Sequence, residues 1–456
     1  MPESRYESEI PVSADTLYAW HARPGAFERL VPPWERVRLR SRTGGVATGA
    51  RVEMDLLMGP IALRWEAEHV AHEEGRGFTD VARRSPFASW RHVHRFEPVA
   101  DASCVLRDVI DWRLPLGPLG ALGNGFARGA IDRMFRFRHR RTEFDLMRHE
   151  RASGPVRTIA VTGASGLIGS ALVAYLRAGG HRVRPLVRRA PGDADEIRWS
   201  PSEGEIDREA LSSVDAVVHL AGESIAGGRW TEARKSSIRD SRVVGTDLLA
   251  RALAEVGGPR VLLSASAIGF YGDVPEGRVG EDSPRGEGFL ADVCAAWEGA
   301  ADPARAAGLR VVHPRIGVVL AAGGGALATM LPAFRAGVGG VVGSGRQWMS
   351  WIGLEDVVGA LHFLLESEGI SGPVNLTAPE PVTNREFTRT LGRVLRRPTL
   401  LPLPAPAVRL LLGEMGEKLL LEGAAVEPRV LRESGFVFMT PGLEQSMRHE
   451  LGRDGP

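Results

Sequence analysis

Cysteine and lysine are scarce in this sequence of 456 residues. The two cysteines, Cys104 and Cys294, lie far apart along the chain, so we expect neither a disulfide framework nor a zinc site, and no metal site is predicted. A reducing compartment such as the cytoplasm fits this composition. Lysine occurs only at Lys235 and Lys418, which leaves few residues for chemistry that needs an amine.

The sequence also lacks a strong net charge and an uninterrupted apolar run. Its net charge is +1, so we expect neither nucleic acid nor an anionic membrane as a partner. The N-terminus has no basic start followed by an apolar run, and a signal peptide is not expected. No charged residue occurs between Arg315 and Arg335, but consecutive glycines and a proline interrupt that stretch. We therefore predict strand, loop and helix there rather than a membrane span.

The length of the chain predicts two or three domains, and residues 1–150 differ in pattern from the rest. They begin with a strand and a helix capped by Ser13. Short runs of alternating apolar and polar residues then predict an antiparallel sheet. A long helical pattern follows, in which apolar residues recur at steps of three, four or seven: Leu122, Phe126, Ala130, Met134, Phe137 and Phe144. We expect the sheet to curve around this helix.

The order of these elements resembles the helix-grip (SRPBCC) fold of START-like and polyketide-cyclase-like proteins. Two segments carry the resemblance, IPVSADTLYAWHARPGAFERLVPPW and LRDVIDWRLP. It implies an α+β domain with an apolar cavity between sheet and helix, which would hold a lipid-like or aromatic ligand. A core filled by its own side chains, without a ligand, is the alternative.

Three spaced glycines follow a linker at residues 148–157. The run TIAV predicts a strand, and Gly163, Gly166 and Gly169 then precede an amphipathic helix and a second strand, HRVRPLV. In such a unit the first glycine permits a tight turn, the second lets backbone amides approach a pyrophosphate, and the third lets the helix pack against the sheet. The N-terminus of the helix attracts the phosphates. This context predicts a dinucleotide site.

The end of the second strand distinguishes NAD from NADP. An NAD site has an acidic residue there that binds the ribose 2′-hydroxyl, whereas this chain has Arg188 and Arg189 and no acidic residue before Asp193. A guanidinium binds a 2′-phosphate with a charge-assisted hydrogen bond of about 1.5–3 kcal/mol, which is roughly a ten- to hundredfold preference. We therefore predict NADP(H) as the cofactor. The alternative is that both arginines are solvated loop residues.

Further buried runs, VDAVVHLAG, PRVLLSASA and LRVVHPRIGVVL, alternate with helical patterns. They predict an α/β fold with a Rossmann-type doubly wound parallel sheet, whose ligand lies beyond the carboxyl ends of the strands. The motifs TGASGLIG, DAVVHLAGE and SASAIGFYGD resemble extended or atypical short-chain dehydrogenases/reductases. The segment GGRWTEARKSSIRDSRVVGTDLL and the tail RPTLLPLPAPAVRLLLGEMGEKLLLEGAAVEPRVL are similar to NAD(P)-dependent epimerase-family proteins. We predict one such domain over residues 156–456, with a small C-terminal substrate lobe at about residues 371–456.

The resemblance implies a function for several residues. Ser266 matches a serine that holds and polarises a substrate carbonyl or alcohol. The cofactor would be bound by the phosphate loop and its neighbours, namely Gly163, Ala164, Ser165, Gly166, Leu167, Ile168, Gly169, Arg188, Ala221 and Gly222.

The resemblance fails at one point, because the Tyr-x-x-x-Lys pair of the family is absent from the segment FLADVCAAWE. In the family the tyrosine transfers a proton and the lysine lowers its pKa. Tyr271 is the only tyrosine near the serine strand, and we take it as a second catalytic residue. Asp292, Glu298 or water are alternative proton carriers, although the two acids are better explained as a helix-surface and a helix-packing residue.

A glycine-rich segment near residue 345 has the composition of a substrate-side loop. Arg346, Trp348 and Trp351 would suit an apolar substrate that carries an anion, and ordinary packing is the alternative. Asp356 is expected to cap the next helix. We therefore predict an NADP(H)-dependent oxidoreductase or epimerase-like enzyme that acts on a small carbonyl or alcohol. A non-catalytic NADP(H)-binding regulatory or scaffold protein is the alternative, because the usual proton donor is missing.

Overall fold

A computed structural model of the chain describes residues 2–152 and 154–453. Their contacts divide into two units. The first unit contains residues 2–152, 174–180 and 449–453, and the second contains residues 154–173 and 181–448.

The first unit contains a seven-stranded antiparallel sheet followed by a long helix. Its strands pair in the order β1–β7–β6–β5–β4–β3–β2. In chain order its elements are β1 (Glu3–Ile10), α1 (Ala14–Ala22), α2 (Ala26–Leu30), β2 (Val37–Thr43), β3 (Arg51–Met58), β4 (Ile61–Glu73), β5 (Gly77–Arg84), β6 (Ser89–Ala100), β7 (Ser103–Arg113), a 3₁₀ turn (Gly120–Gly123) and α3 (Asn124–Arg151). This order confirms the predicted α+β helix-grip fold.

The core of this unit lies between one face of the sheet and α3. Along β7 buried and half-buried residues alternate, as period-two side-chain geometry requires. Ile131 and Phe135 of α3 pack against Trp90, Ile110 and Trp112 of the sheet. Ser13 caps α1, as predicted, because its hydroxyl accepts the amide of Thr16.

The predicted apolar stripe on the long helix is only partly right. Leu122 and Phe126 are 87% and 86% exposed, whereas Ile131 and Phe135 are buried. Leu122 precedes the helix, in the 3₁₀ turn, so it does not share the helical period. The buried face of α3 is therefore rotated from the one that the spacing of large apolar residues indicates.

The second unit contains a doubly wound sheet. Its main strands pair in the order β11–β10–β9–β8–β12–β13–β16–β14, and β20 pairs in parallel with residues 312–316 of β16. In chain order its elements are β8 (Thr158–Thr162), α4 (Leu167–Ala178), β9 (Arg182–Val187), β10 (Ile197–Ser200), β11 (Glu205–Ile206), α5 (Arg208–Ser212), β12 (Ala216–His219), α6 (Glu232–Val256), β13 (Val261–Ser264), β14 (Ser266–Ala267), a 3₁₀ turn (Ile268–Tyr271), β15 (Val274–Val279), α7 (Phe289–Gly299), α8 (Asp302–Ala306), β16 (Arg310–Ile316), β17 (Val318–Leu320), α9 (Gly325–Arg335), β18 (Trp348–Met349), β19 (Trp351–Gly353), α10 (Leu354–Glu366), β20 (Gly372–Leu376), β21 (Val382–Thr383), α11 (Asn384–Leu395), α12 (Ala405–Gly416), a π turn (Glu417–Leu421), β22 (Ala424–Val426), α13 (Arg429–Glu433) and α14 (Leu443–Glu450).

The strand order confirms the predicted Rossmann-type fold. Pairing is parallel throughout the centre of the sheet. The chain winds from β8 through β9 to β10 and then continues on the other side of β8 with β12, so the winding direction changes between β8 and β12. Ligands of such sheets bind at this change of direction, beyond the carboxyl ends of the strands. The segment between Arg315 and Arg335 forms the end of β16, then β17, a loop and α9, as predicted. Among the described helices, none is long and apolar enough to cross a membrane.

Later segments of the second unit form small additional sheets. Strand β15 pairs with β22, and β18 pairs with β21. Asp356 was expected to cap α10, and this is wrong, because the cap position is Gly353. The buried Asp356 carboxylate instead accepts the backbone amides of Met439 and Thr440, at 2.6 and 3.1 Å, and so holds a segment more than eighty positions away in sequence.

A buried ion pair joins α2 to α3 in the first unit. The Arg29 guanidinium donates two hydrogen bonds of 2.7 Å to the Asp145 carboxylate, and both side chains are almost fully buried. Removing one partner of such a pair leaves an uncompensated charge and costs about 3–5 kcal/mol. We expect Asp145→Ala to lower the free energy of unfolding by about 3 kcal/mol in denaturant titrations followed by tryptophan fluorescence. Glu28→Gln, in the half-exposed pair with Arg42, is the control and should cost less than about 1 kcal/mol.

Candidate dinucleotide and active site

The turn between β8 and α4 is packed so closely that only glycine fits at two positions. Gly163 has a φ of +66°, and a Cβ there would lie 2.9 Å from the carbonyl carbon of Leu220. A Cβ on Gly169 would lie 2.1 Å from the Gly163 carbonyl oxygen. Gly166 is less restricted, with 3.2 Å to the same oxygen. The loop therefore brings the first turn of α4 close to β8 and β12, which is the cradle that a dinucleotide pyrophosphate requires.

A network of three side chains fixes the neighbouring strand end. The Thr162 hydroxyl lies 2.7 Å from Nδ1 of His219 and accepts the amides of Leu220 and Ala221 at 3.0 and 3.1 Å. Nε2 of His219 lies 2.9 Å from the hydroxyl of Thr246, which donates its own proton to a carbonyl. Burial lowers the pKa of His219 to about 4, so the ring is neutral at pH 7. This network holds Ala221 and Gly222, the predicted ribose-side residues, beside the glycine loop.

The two arginines after β9 differ in their partners. Arg189 donates to the Glu196 carboxylate, and this ion pair raises the pKa of Arg189. Arg188 is exposed, and within the described residues its guanidinium contacts no acidic group. Of the two, Arg188 is therefore the residue whose guanidinium is available for a phosphate.

Ser266 belongs to a buried network that crosses three elements. Its hydroxyl, at the start of β14, donates to Oε1 of Glu298 on α7 at 2.7 Å. The same carboxylate accepts two hydrogen bonds of 2.8 Å from Arg315 on β16. Burial alone would raise the pKa of Glu298, but Arg315 and Ser266 lower it below the ordinary value. Glu298 is thus an ionised acceptor, and the proton of Ser266 points towards it.

Tyr271 closes the other side of this network. Arg315 donates to the Tyr271 hydroxyl at 3.0 Å, and that hydroxyl donates to the side chain of Asn375 at 2.7 Å. Tyr271 is 1% exposed, and burial raises its pKa above the ordinary value although Arg315 opposes the shift. The structure therefore brings Tyr271 and Ser266 together through Arg315 and Glu298, and leaves the phenol little surface for a substrate.

Helix α7 lacks the tyrosine and lysine of the family, and its acidic residues make other contacts. Asp292 is exposed and pairs with Arg285 at 2.8 Å, whereas Glu298 is the buried centre of the serine network. Lys235, on α6, pairs with Glu414 at 2.6 Å. The sequence offers Glu298 as a proton carrier but favours a helix-packing role for it. An acidic residue four positions after the small Cys294, on the helix that follows the serine strand, was the available signal.

The predicted substrate-side residues lie in different environments. Arg346 is exposed, and Trp348 is half-buried with its indole N–H donating to the Pro275 carbonyl. Trp351 lies in the core, 1% exposed, and donates to the carbonyl of Glu380. The structure therefore leaves surface for a ligand on Arg346 and Trp348, while packing accounts for Trp351.

The first unit contains a cavity of about 950 Å³ between the sheet and α3. Most of its wall is apolar, including Met54, Leu56, Trp65 and Phe87, and a group of histidines with Asp80 lies on one side. The predicted cavity is thus present, and its volume is in the range of sites for small molecules.

Comparisons with known proteins match each part of the chain. Residues 159–376 match the NAD dependent epimerase/dehydratase family, residues 10–137 match the family described as polyketide cyclase/dehydrase and lipid transport, and residues 403–450 match a domain of unknown function, DUF1731. The chain is 48% identical over 297 residues to the epimerase family protein Mb2239 of Mycobacterium bovis, covering 65% of this chain and 98% of that protein.

Two solved structures are similar over large parts of the chain. One is a nucleoside-diphosphate sugar epimerase from Corynebacterium glutamicum, at 32% identity and a TM-score of 0.82, covering 99% of this chain and 90% of that one. The other is the human epimerase family protein SDR39U1 with NADPH, at 34% identity and a TM-score of 0.59, covering 65% of this chain and 99% of that one. The first similarity spans both units.

The close packing of the glycine loop against its own backbone can be tested by substitution. Gly169→Ala would place a methyl group against the Gly163 carbonyl and force the loop open. We expect isothermal calorimetry to show NADPH binding weakened by about tenfold or more. Gly299→Ala is the matched control, because the nearest atom to its Cβ would be 3.9 Å away and alanine suits a helix. Unchanged NADPH affinity in Gly169→Ala would show that this loop is not part of the NADPH site.

Proposed function

This chain belongs to the NAD dependent epimerase/dehydratase family, and we propose that it is an NADP(H)-dependent oxidoreductase or epimerase-like enzyme that acts on a small carbonyl or alcohol. The observation that carries the proposal is the glycine cradle at the change of winding direction, where a Cβ on Gly163 or Gly169 would collide with backbone. The NADPH in the related human structure supports the same assignment.

The residues around this cradle fit a phosphorylated dinucleotide. The loop from Gly163 to Gly169 and the first turn of α4 would hold the pyrophosphate, and Ala221 and Gly222 would lie beside the ribose. Arg188, which is free of acidic partners within the described residues, would bind the 2′-phosphate. When bound, the nicotinamide ring supplies a hydride donor or acceptor.

The role of Ser266 follows from its hydrogen bond. Because its proton is donated to the ionised Glu298 carboxylate, the Ser266 oxygen keeps lone pairs that accept a hydrogen bond from a substrate hydroxyl. A proton from that hydroxyl would pass to Ser266 and from Ser266 to Glu298. Arg315 holds the carboxylate in place and balances its charge. Tyr271 would act here through Arg315, as a positioning residue.

Two further regions would complete the ligand contacts. Arg346 and Trp348 offer a cation and an aromatic face to a substrate that is apolar and anionic. In the first unit the apolar cavity would hold a separate hydrophobic ligand. We keep the cytoplasm as the compartment, from the scarcity of cysteine.

A non-catalytic NADP(H)-binding regulatory protein is the second candidate, and one observation favours it. Helix α7 carries neither the tyrosine nor the lysine of the family pair, and the buried groups that replace them are bonded mainly to one another. Such a protein would bind NADPH tightly and turn over nothing.

Substitution of each of the two arginines tests which of them selects NADPH over NADH. We expect Arg188→Ala to weaken NADPH binding by about ten- to hundredfold and to leave NADH binding within about twofold, because only NADPH carries the 2′-phosphate. Arg189→Ala is the matched control, since its guanidinium is engaged by Glu196, and should change NADPH affinity less than about threefold. Calorimetric titration with each cofactor provides the comparison. Equal losses for NADPH and NADH in Arg188→Ala would contradict the proposed contact.

Enzyme turnover tests the proposed proton transfer from the substrate through Ser266 to Glu298, which we call the serine relay. NADPH oxidation by wild type would be screened against aldehydes, ketones and quinones, and Ser266→Ala should lower kcat about 100-fold on any active compound while NADPH affinity stays constant. Glu298→Gln should do the same, and Asp292→Asn, on the exposed face of the same helix, should not. Full activity in Ser266→Ala would refute the relay. Tight NADPH binding without turnover on every compound would favour the regulatory alternative.

A further inference from the structure

Two histidines and an aspartate face the cavity of the first unit from neighbouring strands. His92 and His94 are two positions apart on β6, so their side chains lie on the same face of the sheet. Asp80 on β5 is directly opposite His92 in the antiparallel register. All three side chains line the cavity, and both histidines are buried.

The spacing of their donor atoms is that of metal ligands. Oδ2 of Asp80 lies 3.3 Å from Nδ1 of His92 and 3.7 Å from Nε2 of His94. One donor atom from each of the three residues lies within 4.8 Å of the others. Bonds of 2.0–2.2 Å in a tetrahedral arrangement place ligand atoms about 3.3–3.6 Å apart. Small side-chain movements would therefore bring the set around one ion.

A second carboxylate supports these ligands from behind. Oδ1 of Asp108 on β7 accepts from Nε2 of His92 at 2.9 Å and lies 2.8 Å from Nδ1 of His94, although out of hydrogen-bond alignment with that atom. The other oxygen of Asp108 lies 2.8 Å from Nε2 of His139 on α3. His92 and His94 thus each turn one nitrogen towards Asp108 and the other towards Asp80. Metal-binding histidines are commonly oriented by a carboxylate on the far nitrogen in this way.

The charge of the cluster also favours a cation. Asp80 and Asp108 are two carboxylates in a largely apolar surrounding, where the ring of Phe78 lies 4.2 Å from that of His94 and the ring of Phe135 lies 5.0 Å from that of His92. These carboxylates need compensating charge. The guanidinium of Arg138 on the same cavity wall contributes to it, and a divalent ion bound to Asp80 would supply more.

We propose that Asp80, His92 and His94 bind one divalent first-row transition-metal ion. Two histidines and one carboxylate leave coordination positions open, as in catalytic zinc sites and mononuclear iron sites. These positions would face the apolar cavity. Resting on the ligand role proposed above for this cavity, the site would take an apolar molecule whose carbonyl, enol or carboxylate oxygen binds the ion and is polarised by it.

Metal binding by the full-length chain without a histidine tag tests the site. The protein would be stripped with a chelator and dialysed against Zn²⁺, Co²⁺ or, without oxygen, Fe²⁺, and bound metal measured by elemental analysis. We expect one ion per chain in wild type, and the visible absorption of bound Co²⁺ would report nitrogen and oxygen ligands. Comparison of the three ions identifies which the site prefers.

Substitutions of the proposed ligands test where the ion binds. Asp80→Asn and His92→Gln should abolish binding or weaken it at least about 100-fold, and Asp108→Asn should weaken it about 10–100-fold by disorienting the histidines. His72→Gln, a histidine on β4 outside the cavity wall that bonds Tyr18, is the control and should bind as wild type does. Circular dichroism would show that each variant is folded. Failure of wild type to retain any of the three ions, or equal binding by wild type, Asp80→Asn and His92→Gln, would overturn the proposal.

Discussion

A charge taken out of water has to be compensated inside the protein, and this requirement organises both units. Glu298 is ionised in the interior of the second unit because Arg315 binds both of its oxygens. In the first unit Arg29 and Asp145 satisfy one another in the same two-bond geometry, and the histidines around Asp108 supply its donors. Each of these carboxylates joins different secondary-structure elements, so the cost of burial is offset only when those elements have packed together.

The Glu298–Arg315 pair also gives a physical account of a family member without the usual tyrosine and lysine. A phenol near a lysine is one way to hold a proton carrier beside a substrate. Here the serine is bonded to a carboxylate whose charge is already balanced, so the proton transfer that we propose would need no amine near it. The scarcity of lysine and the abundance of arginine in the chain agree with this arrangement, because a guanidinium binds a carboxylate through two parallel bonds and an ammonium does not.

Local features of the fold were predictable because local spacing causes them. Ser13 caps its helix through the amide three positions later, and the glycines of the phosphate loop follow from the turn between β8 and α4. Features that depend on long-range geometry were not. Asp356 is placed within the first turn of its helix, where sequence suggests a cap, yet its partners are amides near residue 440. Leu122 and Phe126 keep an apolar spacing and still lie in solvent, because packing decides which face of α3 is buried.

The sequence by itself determined the two fold classes, the glycine turn between β8 and α4 and the pair of arginines after β9, since each arises from side-chain period or from residues close together in the chain. Only the tertiary structure decided which arginine is free, because Glu196 engages Arg189. It alone joined Ser266 to Glu298 across 32 positions. It alone aligned Asp80, His92 and Asp108 on three strands, since the register of an antiparallel sheet, and not the distance along the chain, sets which side chains meet.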